Sequence, residues 1–163
     1  MEKIKTIFIG NPEFGAIILK ELNRSQFKPA LVICSQDKPV GRKQDIASPH
    51  VKVAAKSCGI KALQTDDISE LKDKILNIKP DLIIVAACSQ IIPKEILEIP
   101  KHGCLNVHPS LLPKYKGLNA IKRAYEEREA ETGVTVHFVN ENQSGKIFFF
   151  TVFPDKLCAY FYS

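Results

Sequence analysis

The sequence predicts an α/β fold, a doubly wound and mostly parallel sheet with an antiparallel hairpin at its edge. Short apolar runs alternate with amphipathic segments over residues 4–117, which is typical of parallel strands joined by helices on both faces of a sheet. Residues 133–139 (GVTVHFV) and 146–153 then form two strand-like runs separated by a polar turn, which indicates the hairpin. The chain has 163 residues, about the length of one domain.

The first unit reads as strand, helix and strand. Residues 4–10 (IKTIFIG) are a short apolar run, and a helix follows over 11–24 with Asn11 at the N-cap and Pro12 as its first residue. Residues 29–35 (PALVICS) form the second buried strand, so a right-handed parallel crossover is expected. The first turn has neither G-x-G-x-x-G nor G-K-[ST], which excludes the usual dinucleotide and nucleoside-triphosphate sites there.

A polar stretch without periodicity follows over residues 36–49 (QDKPVGRKQDIASP) and is expected to be a long loop. Lys38, Arg42 and Lys43 make this loop basic. A basic loop beside a strand end could contact phosphate. On the residue pattern alone, a solvated surface loop is the favoured interpretation.

The elements expected next are, in order, a helix over 49–58, a weak strand over 60–63, an amphipathic helix over 66–77, a strand over 81–87, a short helix over 93–97 and a helix over 118–131. Residues 81–87 (DLIIVAA) form the most apolar run, so we expect them at the centre of the sheet. The segment 88–93 (CSQIIP) should then lie at the carboxyl end of that strand. In the last helix, Ile121, Ala124 and Tyr125 are expected to face the core.

The candidate site lies in residues 103–117 (GCLNVHPSLLPKYKG), where an apolar strand ends in prolines and glycine. Asn106 and His108 are two residues apart, so they project from the same face of an extended strand. Ligands of open α/β sheets bind outside the carboxyl ends of the strands. An amide there can stabilise a developing oxyanion, and an imidazole can do the same or move a proton. The alternative is a histidine that caps a turn or bonds to backbone.

Composition and charge exclude several classes of protein. The five cysteines are odd in number and form no Cys-x-x-Cys pair, which argues against a disulfide framework or a zinc site. No run of about 18 apolar residues is present, and the first residues enter a strand without a signal-peptide pattern. We therefore expect a cytoplasmic protein that spans no membrane. The net charge of +5 gives a mild preference for anionic partners.

Residues 106–113 (NVHPSLLP) resemble the signature segment of the 10-formyltetrahydrofolate-dependent formyltransferases. The resemblance implies a Rossmann-like formyltransferase fold and direct formyl transfer from 10-formyltetrahydrofolate to a primary amine, with no metal. It implies that Asn106 and His108 are catalytic. The folate-binding residues that it implies are Ser110, Leu111, Leu112, Pro113, Ile91 and Ile92.

Three further stretches are similar to the methionyl-tRNA formyltransferase branch of that family, namely residues 7–14 (IFIGNPEF), 36–43 (QDKPVGRK) and 48–52 (SPHVK). This similarity implies initiator methionyl-tRNA as the formyl acceptor, with Lys38, Arg42 and Lys43 in a loop that contacts the tRNA. Residues 114–120 and 136–139 are more similar to the glycinamide ribonucleotide branch. Glycinamide ribonucleotide, another small amine, or a non-catalytic folate or tRNA binder therefore remain alternatives.

One position departs from the family pattern. The resemblance implies an aspartate that holds the histidine, in the turn over residues 140–146 (NENQSGK), where this chain has Gln143 or Ser144 instead. We therefore expect activity to be weakened or lost. We further expect a monomer with a catalytic domain over residues 1–154, incomplete at its C-terminal end, and an aromatic tail over 155–163. A truncated or frameshifted product would explain both the missing aspartate and the incomplete C-terminal end.

Overall fold

The fold is seen in a computed structural model of the chain, of which residues 4–139 and 147–150 are described. The strands are β1 (Thr6–Gly10), β2 (Leu31–Cys34), β3 (Lys38–Val40), β4 (Asp45–Ala47), β5 (Ala62–Gln64), β6 (Leu82–Ala86), β7 (Cys104–His108), β8 (Val134–Phe138) and β9 (Ile147–Phe150). The helices are α1 (Glu13–Asn23), α2 (His50–Ser57), α3 (Lys72–Ile78), α4 (Lys94–Leu97) and α5 (Ala120–Glu126), with a 3-10 turn (Ile68–Leu71) before α3. Within these described ranges, no helix is long and apolar enough to cross a membrane.

Seven strands form one sheet in the order β5-β2-β1-β6-β7-β8-β9. The pairs from β5 to β7 are parallel, whereas β8 and β9 pair antiparallel at the edge. The predicted fold class is confirmed, and the apolar strand β6 is central as expected. The chain runs outward from β1 to β2 and β5 and then returns to β6 and β7. The strand order therefore reverses between β1 and β6. In open α/β sheets this is the position at which a crevice forms at the carboxyl ends of the strands.

Alternate residues of the central strands supply two separate core layers. On one face Phe8 packs in a buried cluster with residues of α1 and α2, including Leu19 and Val51. On the other face Ile7 and Ile9 pack in a cluster with residues of the 3-10 turn, α3 and α4. Because successive side chains of a strand point to opposite faces, one apolar strand builds both layers. The sheet is thus covered on both sides by apolar layers.

The stretch over residues 36–49 contains regular structure that was not expected there. Strands β3 and β4 form a small antiparallel hairpin in which Pro39 pairs with Ile46, and Gly41 and Gln44 have φ values of +69° and +56° in the turn. Nearly all side chains of this hairpin are exposed. The prediction of an irregular loop was wrong because a hairpin without a buried face carries no alternation of apolar and polar residues.

Asn11 does not cap α1 as predicted. Helix α1 begins at Glu13 with Pro12 in the capping position and no side-chain cap. The Asn11 Oδ1 atom instead accepts a hydrogen bond of 2.6 Å from the backbone N–H of Ser35. The side chain therefore ties the end of β1 to the end of β2, beside the crevice.

Helix α5 is shorter than expected and exposes one predicted core residue. It begins after Asn119, whose φ is +59°, and ends before Arg128, whose φ is +52°. Ala120 and Ala124 face the core, but Tyr125 is 64% exposed, so its predicted inward orientation was wrong. The boundaries set by the two left-handed residues leave the tyrosine on the solvent side of the helix.

Gly10 allows β1 and β6 to approach closely at the crevice. It pairs with Ala86, and a Cβ atom built on Gly10 would lie 2.5 Å from the Ala86 carbonyl oxygen. Gly15 in α1 is next to the same oxygen, with its ideal Cβ at 3.0 Å. The residue after β6, Ala87, has a φ of +50°. The backbone at this strand end leaves no room for a side chain at position 10.

Candidate active site

Four polar side chains meet where β7 ends and β8 begins. Asn106 and His108 lie on β7, and the antiparallel register places His137 opposite Asn106 and Thr135 opposite His108. Residues directly opposite in an antiparallel pair project from the same face, so these four side chains share one face of the sheet. We call Asn106, His108, Thr135 and His137 the quartet. Asn106 is also paired with Val85 of β6, which places the quartet beside the crevice.

The Asn106 amide is held by His137. The Asn106 Nδ2 atom lies 3.0 Å from His137 Nε2, and His137 Nδ1 lies 3.1 Å from the Phe138 carbonyl oxygen. A carbonyl oxygen only accepts, so Nδ1 carries the ring proton and the bare Nε2 accepts from the amide. One N–H of the amide is thereby used. The other has no hydrogen-bond partner among residues 4–139 and is available to donate to a ligand.

His108 is held in a defined tautomer by backbone. Its Nε2 atom lies 2.8 Å from the Tyr115 carbonyl oxygen, so Nε2 carries the proton and donates it, which leaves a lone pair on Nδ1. Burial lowers the pKa of His108, the hydrogen bond to Tyr115 opposes this, and the nearby His137 lowers it further. The ring is therefore neutral at pH 7 and can accept a proton.

Thr135 fastens the loop after β7 to the sheet. The threonine is completely buried, and its Oγ1 atom donates to the Ser110 carbonyl oxygen at 2.6 Å and accepts from the Leu112 N–H at 3.1 Å. Ser110 is also completely buried, and its hydroxyl donates to the Lys114 carbonyl oxygen at 2.7 Å. Internal hydrogen bonds thus fix the loop whose carbonyl group holds His108.

We expect Thr135→Val to lower the free energy of unfolding by about 2–3 kcal/mol, because the buried Ser110 carbonyl and Leu112 N–H would lose their shared partner. Thr135→Ser is the matched control, since it keeps the hydroxyl and removes one methyl group, at a cost of about 1 kcal/mol. Urea unfolding of the two variants and the parent chain measures the difference. Equal stability of the valine and serine variants would contradict the bracing role.

The buried Tyr115 anchors the far end of the same loop. Its hydroxyl lies 2.7 Å from Glu127 Oε2 and 2.8 Å from Glu129 Oε1, and the Arg123 guanidinium lies 5.3 Å from the ring centre. Burial, followed by the two carboxylates, raises the pKa of the Tyr115 hydroxyl, so it stays protonated and donates. Lys114 Nζ completes the cluster with an ion pair of 2.8 Å to Glu129. The tyrosine ring therefore fixes the carbonyl oxygen that His108 uses.

The predicted folate-binding residues lie in two places. A cavity of about 330 Å³ is lined by Leu111, Pro113, Lys114, Tyr115, Glu129, Glu131 and Thr132. Of the predicted folate-binding residues, the cavity lining includes Leu111 and Pro113 but neither isoleucine of segment 88–93. Ile91 is 88% exposed, whereas Ile92 is partly buried against the core layer that contains α3 and α4. The roles of Ser110, Leu111, Leu112, Pro113, Ile91 and Ile92 in folate binding therefore stay predictions.

The basic residues predicted to contact tRNA lie on the β3–β4 hairpin. Lys38 Nζ is 3.2 Å from Asp66 Oδ1, so this lysine is partly neutralised. Arg42 and Lys43 are exposed at the turn and form no ion pair with another described residue. Their contact with a nucleic acid stays a prediction.

Two members of the quartet were not singled out from the sequence. Thr135 and His137 occupy alternate positions of a strand that was predicted correctly, but their importance depends on its antiparallel pairing with β7. A polar residue at every second position of an otherwise apolar strand was the available signal. The positions predicted to replace the family aspartate, Gln143 and Ser144, lie outside the described residues, as does the predicted turn over 140–145.

Comparisons with known proteins identify the family of the chain. The family model described as "Formyl transferase" matches residues 2–152. Methionyl-tRNA formyltransferase from Geobacillus sp. is 44% identical over 140 residues, which cover 85% of this chain and 44% of that protein. The enzyme of the same name from Thermotoga neapolitana is 39% identical over 147 residues, covering 88% and 47%. The chain thus spans about half the length of the curated relatives it matches.

Solved structures share the fold. Glycinamide ribonucleotide transformylase 1 from Symbiobacterium toebii superposes with a TM-score of 0.70 at 23% identity, covering 91% of this chain and 72% of that one. Phosphoribosylglycinamide formyltransferase from Bacillus halodurans gives a TM-score of 0.69 at 18% identity, covering 95% and 86%. The family model and the curated relatives each cover more than four fifths of the sequence. The chain therefore belongs to the formyl transferase family.

Proposed function

We propose that this chain transfers the formyl group of 10-formyltetrahydrofolate to the amino group of methionyl initiator tRNA. The observation that carries the proposal is the pairing of an amide donor, Asn106, with a neutral imidazole, His108, at the strand end beside the crevice. The names of the curated relatives support the choice of reaction. The four cysteines of the described part are free thiols, which supports a location in the reducing cytoplasm.

The chemistry requires three events, and the two side chains suit them. The substrate amine attacks the formyl carbon, the formyl oxygen gains negative charge, and the bond between the formyl carbon and N10 of the folate breaks. The free N–H of Asn106 would donate to the charged oxygen, an interaction of about 3–4 kcal/mol in the transition state. The bare Nδ1 of His108 would take the proton from the attacking amine and pass it to the departing N10.

The surface near β1 favours a tRNA acceptor over a small phosphorylated one. A helix N-terminus binds phosphate through free N–H groups, but α1 begins with Pro12, which has no N–H, and Glu13, which is negative. The Asn11 side chain is already used by Ser35. The exposed charges of Arg42 and Lys43 lie instead on a projecting hairpin, where they can reach the phosphates of a large substrate.

We expect the double substitution Arg42→Ala and Lys43→Ala to raise the KM for methionyl-tRNA about tenfold at low salt, with kcat little changed. The logarithmic salt dependence of binding should become shallower by about one unit for each lost phosphate contact. Lys72→Ala with Lys74→Ala on α3 is the matched control, because it removes the same charge elsewhere. An equal loss in both double variants would show that only net charge matters.

A second acceptor, glycinamide ribonucleotide, is favoured by one feature. His137 belongs to the segment over 136–139 that is similar to that branch, and it contacts Asn106 directly.

The two acceptors are compared by supplying 10-formyltetrahydrofolate with methionyl-tRNA or with glycinamide ribonucleotide and measuring the formylated product. Transfer to tRNA supports the proposal, and transfer only to the ribonucleotide would replace it. Folate binding without transfer would instead indicate a non-catalytic member.

A further inference from the structure

We propose that His137 is a positioning residue that fixes the orientation of the Asn106 amide, so that an N–H group and not the carbonyl oxygen is offered to the reacting formyl group. The catalytic consequence rests on the function proposed above. The orientation itself is a property of this chain that can be measured without any substrate.

The orientation follows from a chain of two hydrogen bonds. The Phe138 carbonyl oxygen, 3.1 Å from His137 Nδ1, requires a proton on that nitrogen. In the neutral ring, Nε2 then has a lone pair, and it faces the Asn106 amide at 3.0 Å. If the amide were turned over, its oxygen would face that lone pair, and two acceptors would repel each other. The Phe138 carbonyl thus decides that the Nδ2 end of the Asn106 amide, and not the oxygen, lies against the histidine.

The described residues around His137 offer its ring little choice of another partner. His137 is 9% exposed and lies directly opposite Asn106 in the β7–β8 register, so the sheet itself sets the distance between them. The other titratable side chain of the quartet is His108, which uses the Tyr115 carbonyl oxygen and does not compete for the amide. A free asparagine side chain can turn over, whereas one paired with a single-tautomer histidine has one favoured orientation.

This orientation matters because the two ends of an amide have opposite effects on a growing negative charge. An N–H group stabilises the oxyanion, and a carbonyl oxygen in the same place destabilises it. A donor held in place before the reaction needs no reorganisation as charge develops. His137 would act through Asn106 and need not touch either substrate.

The first test is nitrogen-15 NMR of the imidazole rings in the full chain without ligands. We expect His137 to show a protonated Nδ1 and a bare Nε2, and His108 to show the opposite tautomer. A protonated Nε2 on His137 in the neutral ring would overturn the proposal, because the Asn106 oxygen would then have to face it. This result is independent of whether the chain transfers formyl groups.

The second test uses three substitutions at position 137 that differ in reach. In His137→Gln the side-chain oxygen can occupy the place of Nε2 and accept from Asn106, whereas His137→Asn reaches only as far as Nδ1. His137→Leu fills a similar volume with no acceptor. We expect the glutamine variant to keep a kcat within about threefold of the parent and the other two to lose about tenfold, with KM for the folate unchanged.

Two outcomes would contradict the positioning role: a leucine variant with parental kcat, or a glutamine variant that loses as much as the asparagine variant. Thermal unfolding of each variant is recorded alongside, since a general packing role would lower stability without separating glutamine from asparagine. If the parent chain shows no turnover, the proposed function fails, and the NMR result alone then decides the orientation.

Discussion

Substitution of Asn106 by aspartate should lower kcat for formyl transfer by about 100- to 1,000-fold while the fold is retained. Aspartate has nearly the same shape as asparagine, but it removes the N–H donor and places a carboxylate where the formyl oxygen becomes negative. It would also put a second acceptor against His137 Nε2, which accepts from the Asn106 amide in the parent chain. Steady-state rates at saturating folate measure the loss of kcat directly.

Asn77→Asp is the control for this substitution. Asn77 is exposed on α3, on a different element from the quartet, so the same chemical change there should leave kcat unaltered. Thermal unfolding establishes that both variants are folded. A kcat for Asn106→Asp within tenfold of the parent would mean that the amide does not stabilise the transition state.

Substitution of Gly10 by alanine should lower the free energy of unfolding by about 2–4 kcal/mol. The added Cβ would lie 2.5 Å from the Ala86 carbonyl oxygen, and the nearest Phe8 ring atom would be at 3.1 Å. A backbone carbonyl in the centre of a sheet cannot move aside as the end of a flexible side chain can. The two strands must therefore separate at their carboxyl ends, and urea unfolding measures the cost.

Gly41→Ala separates this packing effect from backbone strain. Gly41 has a φ of +69° in the exposed hairpin turn, and a Cβ there meets no atom within 4 Å. Its substitution should cost about 1 kcal/mol from conformation alone. If Gly10→Ala costs no more than Gly41→Ala, the close approach of β1 and β6 is not needed for stability.

The sheet could be predicted because its strands are buried. Residues such as Ile7, Phe8 and Ile9 are apolar at successive positions, since both faces of a parallel sheet are covered by helices. The β3–β4 hairpin has no buried face and therefore no such signal. The exact start and end of α5 depend on two left-handed residues, Asn119 and Arg128, that the helix pattern does not mark.

The candidate site could be predicted only in part, for a related reason. Asn106 and His108 share one strand, so their common face follows from their spacing alone. Thr135 and His137 join them because of the order of strands in the sheet, which is a long-range property of the whole fold. The tautomer of each histidine depends on the backbone carbonyl groups of Tyr115 and Phe138. The pattern of side chains in a sequence does not indicate where a backbone carbonyl group will lie.

The base of the β3–β4 hairpin is held by ion pairs, whereas its tip is exposed. Asp37 forms an ion pair of 2.7 Å with Lys52 of α2 and accepts from Gln64 at 2.8 Å, and the lysine bond holds the pKa of this carboxyl below its usual value. Lys38 is held to Asp66. A segment that is already folded loses less conformational entropy on docking than an unstructured loop of the same length.

Contact between this hairpin and a tRNA, as proposed above, would therefore be a rigid-body encounter. Its rate would be governed by diffusion and by the long-range field of Arg42 and Lys43. No slow folding step of the hairpin would precede the contact. The association rate constant should then fall steeply with ionic strength and vary little with the stability of the hairpin.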